Sequence, residues 1–187
     1  MQTAERLRFS AEDYLAWEET QAEKHEFVAG EVFAMTGARQ AHVLVSGNIH
    51  SALKQRLRGT PCRAYMVDMK LRVESADAFF YPDIMVSCHP DDRKAEQYLA
   101  NPSLILEVLS DSTADYDRGG KFVAYRKLES LREYLIVDIE ARRVECFRRT
   151  ADNDWLLHDY VGEVACKLTS LGIQIPMSEI FEDIEAA

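Results

Sequence analysis

Residues 103–121 read SLILEVLSDSTADYDRGGK, a nearly continuous apolar run followed by a polar stretch that leads into a predicted helix. Apolar runs of this kind are typical of central β-strands that are covered on both faces. Glu107 is the only charged residue within residues 104–109. Because burial of an isolated carboxylate costs several kcal/mol, either a metal ion or a cationic side chain is expected beside Glu107. The sequence leaves open which of the two it is.

Helix and strand patterns extend from this stretch in both directions. Ser10 can cap a helix that runs to about Glu19, and a hairpin with its turn at Ala29-Gly30 follows. The other predicted helices cover residues 40–57, 116–128 and 177–184, and the other predicted strands cover residues 62–74, 81–87, 103–109, 133–138, 144–148 and 155–160. This order indicates an α/β fold in which a mixed β-sheet is flanked by helices, with the N-terminal helix and hairpin added to it. We expect a single domain over residues 1–187.

Composition and length set limits on the class of protein. The chain has 187 residues, of which 47% are hydrophobic and 29% are charged, as in ordinary globular domains. It contains no apolar run near the roughly 20 residues that a membrane-spanning helix needs. Residues 1–6 lead into no signal-peptide core. We therefore expect a cytoplasmic protein without a membrane partner.

The net charge of −10 is unusual for a protein that binds nucleic acid passively, because phosphate neutralisation drives such binding. An acidic chain can still act on DNA if divalent cations and local basic patches offset the repulsion. The candidate patches are Lys54/Arg56/Arg58, Arg118/Lys121/Arg126/Lys127, and Arg142/Arg143 with Arg148/Arg149.

Four cysteines, Cys62, Cys88, Cys146 and Cys166, lie far apart in the sequence. None of them forms a Cys-x-x-Cys pair, which argues against a zinc knuckle and against a redox dithiol. We expect reduced, partly buried thiols.

A second carboxylate that could carry chemistry is Asp83. It follows Tyr81-Pro82 and precedes an apolar segment, so it is expected where a strand enters the sheet. Taken alone, Asp83 would be a structural residue of a turn. Together with Glu107, however, it could converge on one oxygen-preferring cation such as Mg²⁺. Such a cation can lower the pKa of bound water and stabilise the charge that develops during phosphodiester cleavage.

Lys121 lies in the predicted helix after the Glu107 strand, where residues 111–113 could cap the helix or hold the turn. A lysine near a scissile phosphate can orient water and offset developing negative charge. The alternative is an exposed lysine that pairs with Asp117 at the i,i+4 spacing.

Other motifs in the chain do not support a different chemistry. The string Asp68-Met69-Lys70 precedes Asp83, and its two charged residues are expected to pair on one face of a strand. Ser110 and Ser112 lack the glycines of a nucleophile elbow, which makes a serine hydrolase unlikely as a class. The chain also has no glycine-rich phosphate loop, so no organic cofactor is expected.

Several fragments taken together resemble the PD-(D/E)XK nuclease superfamily, and most closely its Uma-two family of restriction endonucleases. The resemblance covers about residues 9–184 and is carried by a set of short matches. They are residues 9–14 (FSAEDY), 26–31 (EFVAGE), His42, 81–83 (YPD), 106–110 (LEVLS), 112–113, 116–121 (YDRGGK), Tyr125 and 133–138 (EYLIVD). The resemblance implies a restriction-endonuclease-like fold.

The resemblance also implies a metal site. Asp83 matches the Asp of the Pro-Asp pair, Glu107 matches the second metal ligand, and the main-chain carbonyl of Val108 matches a third ligand for Mg²⁺ or Mn²⁺. The usual lysine two residues after the acid is replaced here by Leu109. Lys121 is similar to a relocated lysine that reaches the site from the next helix.

Two further positions follow from the resemblance alone. Glu31, or with less support Glu26, matches the acidic residue on the N-terminal side of the core. His42 is similar to the family's histidine at the start of the second helix, where it could bind metal, act as a base or only cap the helix.

The sequence therefore predicts a metal-dependent endonuclease that hydrolyses DNA. A homodimer is expected, because two symmetric sites can cut both strands. Leu109 and the net charge favour a first alternative, a nuclease-fold binding or assembly module without activity. The lack of a strong basic stripe favours a second, a metal-dependent hydrolase of small phosphoesters.

Overall fold

The computed structural model of the protein describes residues 9–110 and 113–185. Residues 1–6 and the candidate capping residues Asp111 and Ser112 therefore lie outside the described residues. Thr113 directly precedes the helix that it was expected to cap, but no side-chain capping hydrogen bond is made there.

The described helices and strands follow the predicted order, with several changes in length. The helices are α1 (Ala11–Glu18), α2 (Gln40–Arg56), α3 (Ala114–Tyr116), α4 (Phe122–Tyr125) and α5 (Met177–Ile180). The strands are β1 (His25–Val28), β2 (Glu31–Ala34), β3 (Arg63–Met66), β4 (Lys70–Val73), β5 (Ala78–Phe80), β6 (Ile84–Ser87), β7 (Tyr98–Leu99), β8 (Leu104–Val108), β9 (Glu133–Asp138), β10 (Arg143–Arg149), β11 (Trp155–Val161), β12 (Ala165–Leu168) and β13 (Ile173–Pro176). A 3₁₀ turn, Glu74–Ala76, follows β4, and a π-helical turn, Asp117–Lys121, joins α3 to α4.

The larger sheet has six strands in the order β11-β10-β9-β8-β6-β3. Strands β8 and β9 run parallel, whereas the other neighbours run antiparallel, so the prediction of a mixed sheet is confirmed. All five residues of β8 are buried, as its apolar sequence predicts. Helix α2, α5 and the β12–β13 hairpin supply apolar side chains to one core, and the second sheet and α4 supply them to another, on the opposite face of the strands.

A second sheet has the order β2-β1-β5-β4-β7. The N-terminal hairpin joins this sheet through the pairing of β1 with β5, so it is an integral part of a sheet. Its turn has positive φ at Ala29 and Gly30, as a tight hairpin turn requires. Ser10 caps α1 in a reciprocal capping box with Asp13, as predicted.

Two predicted strands differ from the structure because the chain crosses between the two sheets at each of them. The segment 62–74 breaks after β3, where Val67 has a φ of 47°, and continues in the second sheet as β4. The segment 81–87 loses its first three residues, because residues 81–83 cross from β5 in the second sheet to β6 in the larger one. Pro82 has no N–H to donate to a sheet ladder, which suits this crossing segment.

Two other regions differ from the prediction. The helix predicted over 116–128 is a helical segment over residues 114–125 that contains the π-helical turn. The closing helix ends at Ile180, and the β12–β13 hairpin before it was not predicted. No helix in the described parts of the chain is long and apolar enough to cross a membrane.

The prediction of four reduced thiols is wrong for two of them, because Cys62 and Cys88 form a disulfide. The β3–β6 register pairs Arg63 with Ser87 and so brings the two cysteines opposite each other, which their separation of 26 residues does not reveal. Cys146 and Cys166 are free and buried.

The expected pairing of Asp68 with Lys70 is not what the structure shows. Asp68 lies at the break between β3 and β4 and pairs with Lys24. The ammonium group of Lys70 lies 5.6 Å from the centre of the Tyr81 ring. The two residues of the D-x-K string thus have different partners.

Candidate active site

Asp83 and Glu107 lie next to each other where β6 begins and β8 ends. The antiparallel register pairs Ile84 with Leu106, so the residues one step further along face each other. The backbone N–H of Asp83 donates to Oε2 of Glu107 at 3.3 Å, and the N–H of Val108 donates to Oδ2 of Asp83 at 2.8 Å. Each carboxylate thus accepts a hydrogen bond from a backbone N–H of the segment that carries the other.

Glu107 is 3% exposed and fully hydrogen-bonded on one oxygen. Its Oε1 accepts from the Tyr125 hydroxyl at 2.8 Å and from Nζ of Lys121 at 3.2 Å. The pKa of Glu107 is raised to about 8: burial raises it most, Lys121 lowers it, and the nearby carboxylates of Asp83, Asp117 and Glu26 raise it. A cationic partner, one of the two expected solutions, is therefore present.

Lys121 is the centre of an ionic cluster. Its Nζ lies 3.2 Å from Oε1 of Glu107, 3.2 Å from Oε1 of Glu26 and 3.2 Å from Oδ1 of Asp117. Burial lowers the pKa of Lys121, but the three carboxylates outweigh that effect and raise it well above its ordinary value. The lysine is therefore charged, and it contacts Asp117 and Glu107 at the same time. We call these four residues the Lys121 cluster.

The π-helical turn decides how this segment faces the sheet. Asp117 and Lys121 are both buried within the turn, and Tyr125 follows four residues later with no exposed side-chain surface. Short π-helical segments are frequent at functional sites. The sequence analysis did not assign Asp117 or Tyr125 to the site, although their i,i+4 spacing to Lys121 could have identified one helical face.

His42 lies near the start of α2, with its Nε2 3.2 Å from Oδ2 of Asp83. Burial lowers the pKa of His42, but contacts with the Asp83 carboxylate and the Val108 backbone outweigh this, and the pKa is raised. Helix α2 therefore brings His42 to Asp83, while the π-helical turn brings Lys121 to Glu107.

The two N-terminal acidic candidates are placed differently. Glu26 lies on β1, accepts a hydrogen bond from the backbone N–H of Tyr81 at 3.3 Å and contacts Lys121. Burial raises the pKa of Glu26, and Lys121 opposes that shift. Glu31 begins β2 opposite Val28, which places it on the same face of the sheet as Glu26. The contact with Lys121 favours Glu26, and the role of Glu31 stays a prediction.

A further polar network holds the crossing segment, residues 81–83, in place. The Tyr81 hydroxyl donates to Oε1 of the buried Glu18 at 2.9 Å, and the same oxygen accepts from the N–H of His25 at 2.9 Å. Helix α1 and strand β1 thereby fix the residue that comes two positions before Asp83.

The donor atoms of the site suit a hard divalent cation. Among the described residues, no group of three or more His, Cys, Asp or Glu side chains forms a complete metal site. The neighbouring carboxylates of Asp83 and Glu107 nevertheless offer oxygen donors of the kind that Mg²⁺ prefers, and the carbonyl of Val108 stays a prediction as a third ligand. Three carboxylates, Glu26, Glu107 and Asp117, contact the ammonium group of Lys121, and Asp83 adds a fourth carboxylate beside Glu107. This excess of negative charge fits a further cation near Asp83, whose side chain is 23% exposed.

Comparison with known proteins agrees with a mixed α/β fold. Residues 11–178 match the Uma2 family, which is described as "putative restriction endonuclease". The chain belongs to this family. The sequence resemblance to it is thus confirmed.

Two relatives come from Synechocystis sp. (strain ATCC 27184 / PCC 6803 / Kazusa), and both are named as uncharacterized proteins. The protein slr1290 is 34% identical over 177 residues, which cover 95% of this chain and 93% of that protein. The protein sll1609 is 35% identical over 158 residues, which cover 83% and 89% respectively.

One solved structure is similar over nearly the whole chain. It is the crystal structure of a "putative nuclease belonging to DUF820" from Anabaena variabilis ATCC 29413, with a TM-score of 0.76 and 13% identity. The match covers 92% of this chain and 97% of that chain. At this identity the match shows a shared fold.

Proposed function

We propose that this protein is a metal-dependent endodeoxyribonuclease with a restriction-endonuclease-like fold. The observation that carries the proposal is the side-by-side arrangement of Asp83 and Glu107, with Nζ of Lys121 3.2 Å from the Glu107 carboxylate. The description of the Uma2 family supports the same activity. DNA is the proposed substrate, and a homodimer is the proposed assembly.

In this proposal Asp83, Glu107 and the carbonyl of Val108 would hold Mg²⁺ or Mn²⁺. The cation, when bound, would supply Lewis-acid stabilisation of the phosphate and a lowered pKa for water. Lys121 would oppose the rise in the pKa of Glu107 that burial causes, and it would add positive charge next to the scissile phosphate. His42 would hold a proton at its Nε2 beside Oδ2 of Asp83.

The test is cleavage of supercoiled plasmid with Mg²⁺ or Mn²⁺. Wild type is compared with Asp83→Ala and Glu107→Ala, and with Asp152→Ala as a matched control, because Asp152 is an exposed acidic residue in the β10–β11 turn. We expect metal-dependent nicking or linearisation in wild type and control, and its loss in both site variants. Equal cleavage by wild type and site variants would contradict the proposed site.

The surroundings of Lys121 favour a second candidate, a binding or assembly module with the same fold and no activity. The ammonium group of Lys121 is enclosed by three carboxylates, and Leu109 stands where the superfamily has its usual lysine. Calorimetric titration with Mn²⁺ separates the two candidates. Binding that disappears in Asp83→Ala supports the nuclease, whereas a folded wild-type protein that binds no Mn²⁺ and cuts no DNA supports the module.

A further inference from the structure

Strand β11 is an apolar sheet edge in the described structure. It forms an edge of the six-stranded sheet and pairs with β10 over its full length of seven residues. Three of its large hydrophobic side chains are about half exposed: Leu156 at 54%, Leu157 at 52% and Val161 at 54%. Val164, just beyond the strand, is 47% exposed. Exposed hydrophobic residues are thus concentrated at this edge.

Soluble proteins usually protect such edges with charged side chains, proline or a short strand. The sequence of β11, WLLHDYV, contains one charged residue, Asp159, and neither lysine nor proline. By contrast β3, the opposite edge of the same sheet, has four residues and begins with Arg63. The edge of β11 is therefore open to pairing with another strand.

The pairing pattern shows which backbone groups of β11 face outward. The N–H of Arg149 donates to the carbonyl of Arg132, away from β11, and the N–H of Thr150 donates to the carbonyl of Asp154. Because antiparallel neighbours alternate in direction, the outward N–H and C=O groups of β11 belong to Trp155, Leu157, Asp159 and Val161.

We propose that β11 pairs antiparallel with β11 of a second copy of this chain, around a two-fold axis at His158. A strand edge that pairs with its own copy is self-complementary by symmetry. If the axis passes through His158, all seven residues of each β11 strand are paired. The outward N–H and C=O groups of one strand then lie opposite those of the other. The interface does not depend on the proposed nuclease activity, because it can be measured in a protein that cuts nothing.

The side chains fit a second copy in this register. Trp155 would face Val161 of the partner subunit, and Leu156 would face Tyr160 of the partner subunit, which gives apolar cross-strand pairs. Leu157 would face Asp159 of the partner subunit, so no like charges are directly opposed. The two Asp159 carboxylates would lie diagonally across the axis and repel each other. Removal of this charge therefore tests the proposed register.

The experiment is sedimentation velocity of the full chain over a range of concentrations. We expect a monomer–dimer equilibrium that Leu157→Asp weakens by at least about tenfold, because the axis repeats each substitution twice. Leu157→Pro, which removes an outward donor, should weaken it as well, whereas Asp159→Asn should tighten it. Val43→Asp is the matched control, since Val43 is 58% exposed on α2.

Each result supports or overturns the inference. A dimer that responds to Leu157 and Asp159 as described, and is unchanged in Val43→Asp, supports it. A wild-type protein that stays monomeric at every concentration overturns it. A dimer with the same dissociation constant in wild type, Leu157→Asp and Leu157→Pro overturns it as well, because the interface then lies elsewhere. Circular dichroism confirms that each variant is folded.

Discussion

At the scale of single residues, Glu107 shows how a buried carboxylate is accommodated in this protein. Its carboxylate accepts hydrogen bonds from Lys121, Tyr125 and the backbone N–H of Asp83. Other carboxylates nevertheless remain close to it. Its pKa is raised to about 8, first by burial and then by the neighbouring carboxylates. The fold therefore holds several carboxylates close together, and their repulsion favours the protonated form of Glu107.

This arrangement predicts how stability depends on pH in metal-free buffer. Because the pKa of Glu107 is higher in the folded state than its ordinary value of 4.5, the folded state binds that proton more tightly. Its contribution is fully present below about pH 4.5 and is lost as pH rises through about 8. We expect the free energy of unfolding, measured with urea and EDTA, to fall across this range.

Glu107→Gln should reduce that slope, because the variant cannot titrate at this position. Glu26 and His42 also have raised pKa values and add slope in the same direction, so part of it should remain. Asp152→Asn serves as the exposed control. An identical slope in wild type and Glu107→Gln would mean that Glu107 does not titrate in this range.

At the scale of elements, the π-helical turn decides which side chains reach the sheet. Gly120 lies directly under the ring of Tyr116: a Cβ built on Gly120 would be 2.4 Å from Cε2 of that ring. At Gly119, next to it, a Cβ would meet nothing within 4 Å. The two adjacent glycines therefore differ in their packing, although the sequence does not distinguish them.

Gly120→Ala and Gly119→Ala form a matched pair for testing this turn. Alanine favours a helix over glycine by about 1 kcal/mol, so Gly119→Ala should leave stability unchanged or raise it slightly. Gly120→Ala must also displace the Tyr116 ring, and we expect it to be about 2 kcal/mol less stable than Gly119→Ala in urea unfolding. Equal stability of the two variants would show that Tyr116 moves aside without cost.

At the scale of the whole molecule, the site depends on two passages of the chain between the sheets. The chain leaves the larger sheet after β3 and returns to it through the crossing segment, residues 81–83, which ends at Asp83. The N–H of Val67 donates to the carbonyl of Asp83 at 3.2 Å, so the two passages are joined. The Cys62–Cys88 disulfide closes the loop that contains both of them.

Reduction of this disulfide should destabilise the whole fold. Closing a loop of this length is expected to stabilise the folded state by about 3 kcal/mol, chiefly by restricting the unfolded chain. We expect dithiothreitol to lower the free energy of unfolding of wild type by roughly this amount. It should have no effect on Cys62→Ser/Cys88→Ser, because Cys146 and Cys166 are free thiols. Equal stability of wild type with and without reductant would contradict the contribution of the bond.

Much of the fold followed from local patterns in the sequence. The capping box at Ser10, the hairpin turn at Ala29-Gly30 and the apolar run of β8 depend on neighbouring residues, and each was predicted correctly. The candidates Asp83 and Glu107 were also found, because a carboxylate within or beside an apolar strand requires an explanation.

The tertiary structure alone decided what depends on contacts between distant segments. The division of residues 62–74 between two sheets, the crossing at residues 81–83 and the pairing of Cys62 with Cys88 require the register of non-neighbouring strands. The contact of Glu26 with Lys121 has the same cause, whereas the i,i+4 pairing of Asp117 with Lys121 was one of the alternatives that the sequence offered. The sequence by itself determined which charged residues lie within apolar segments. Only the packing of sheets and helices determined which of these residues contact each other, because those contacts join segments that are distant in the sequence.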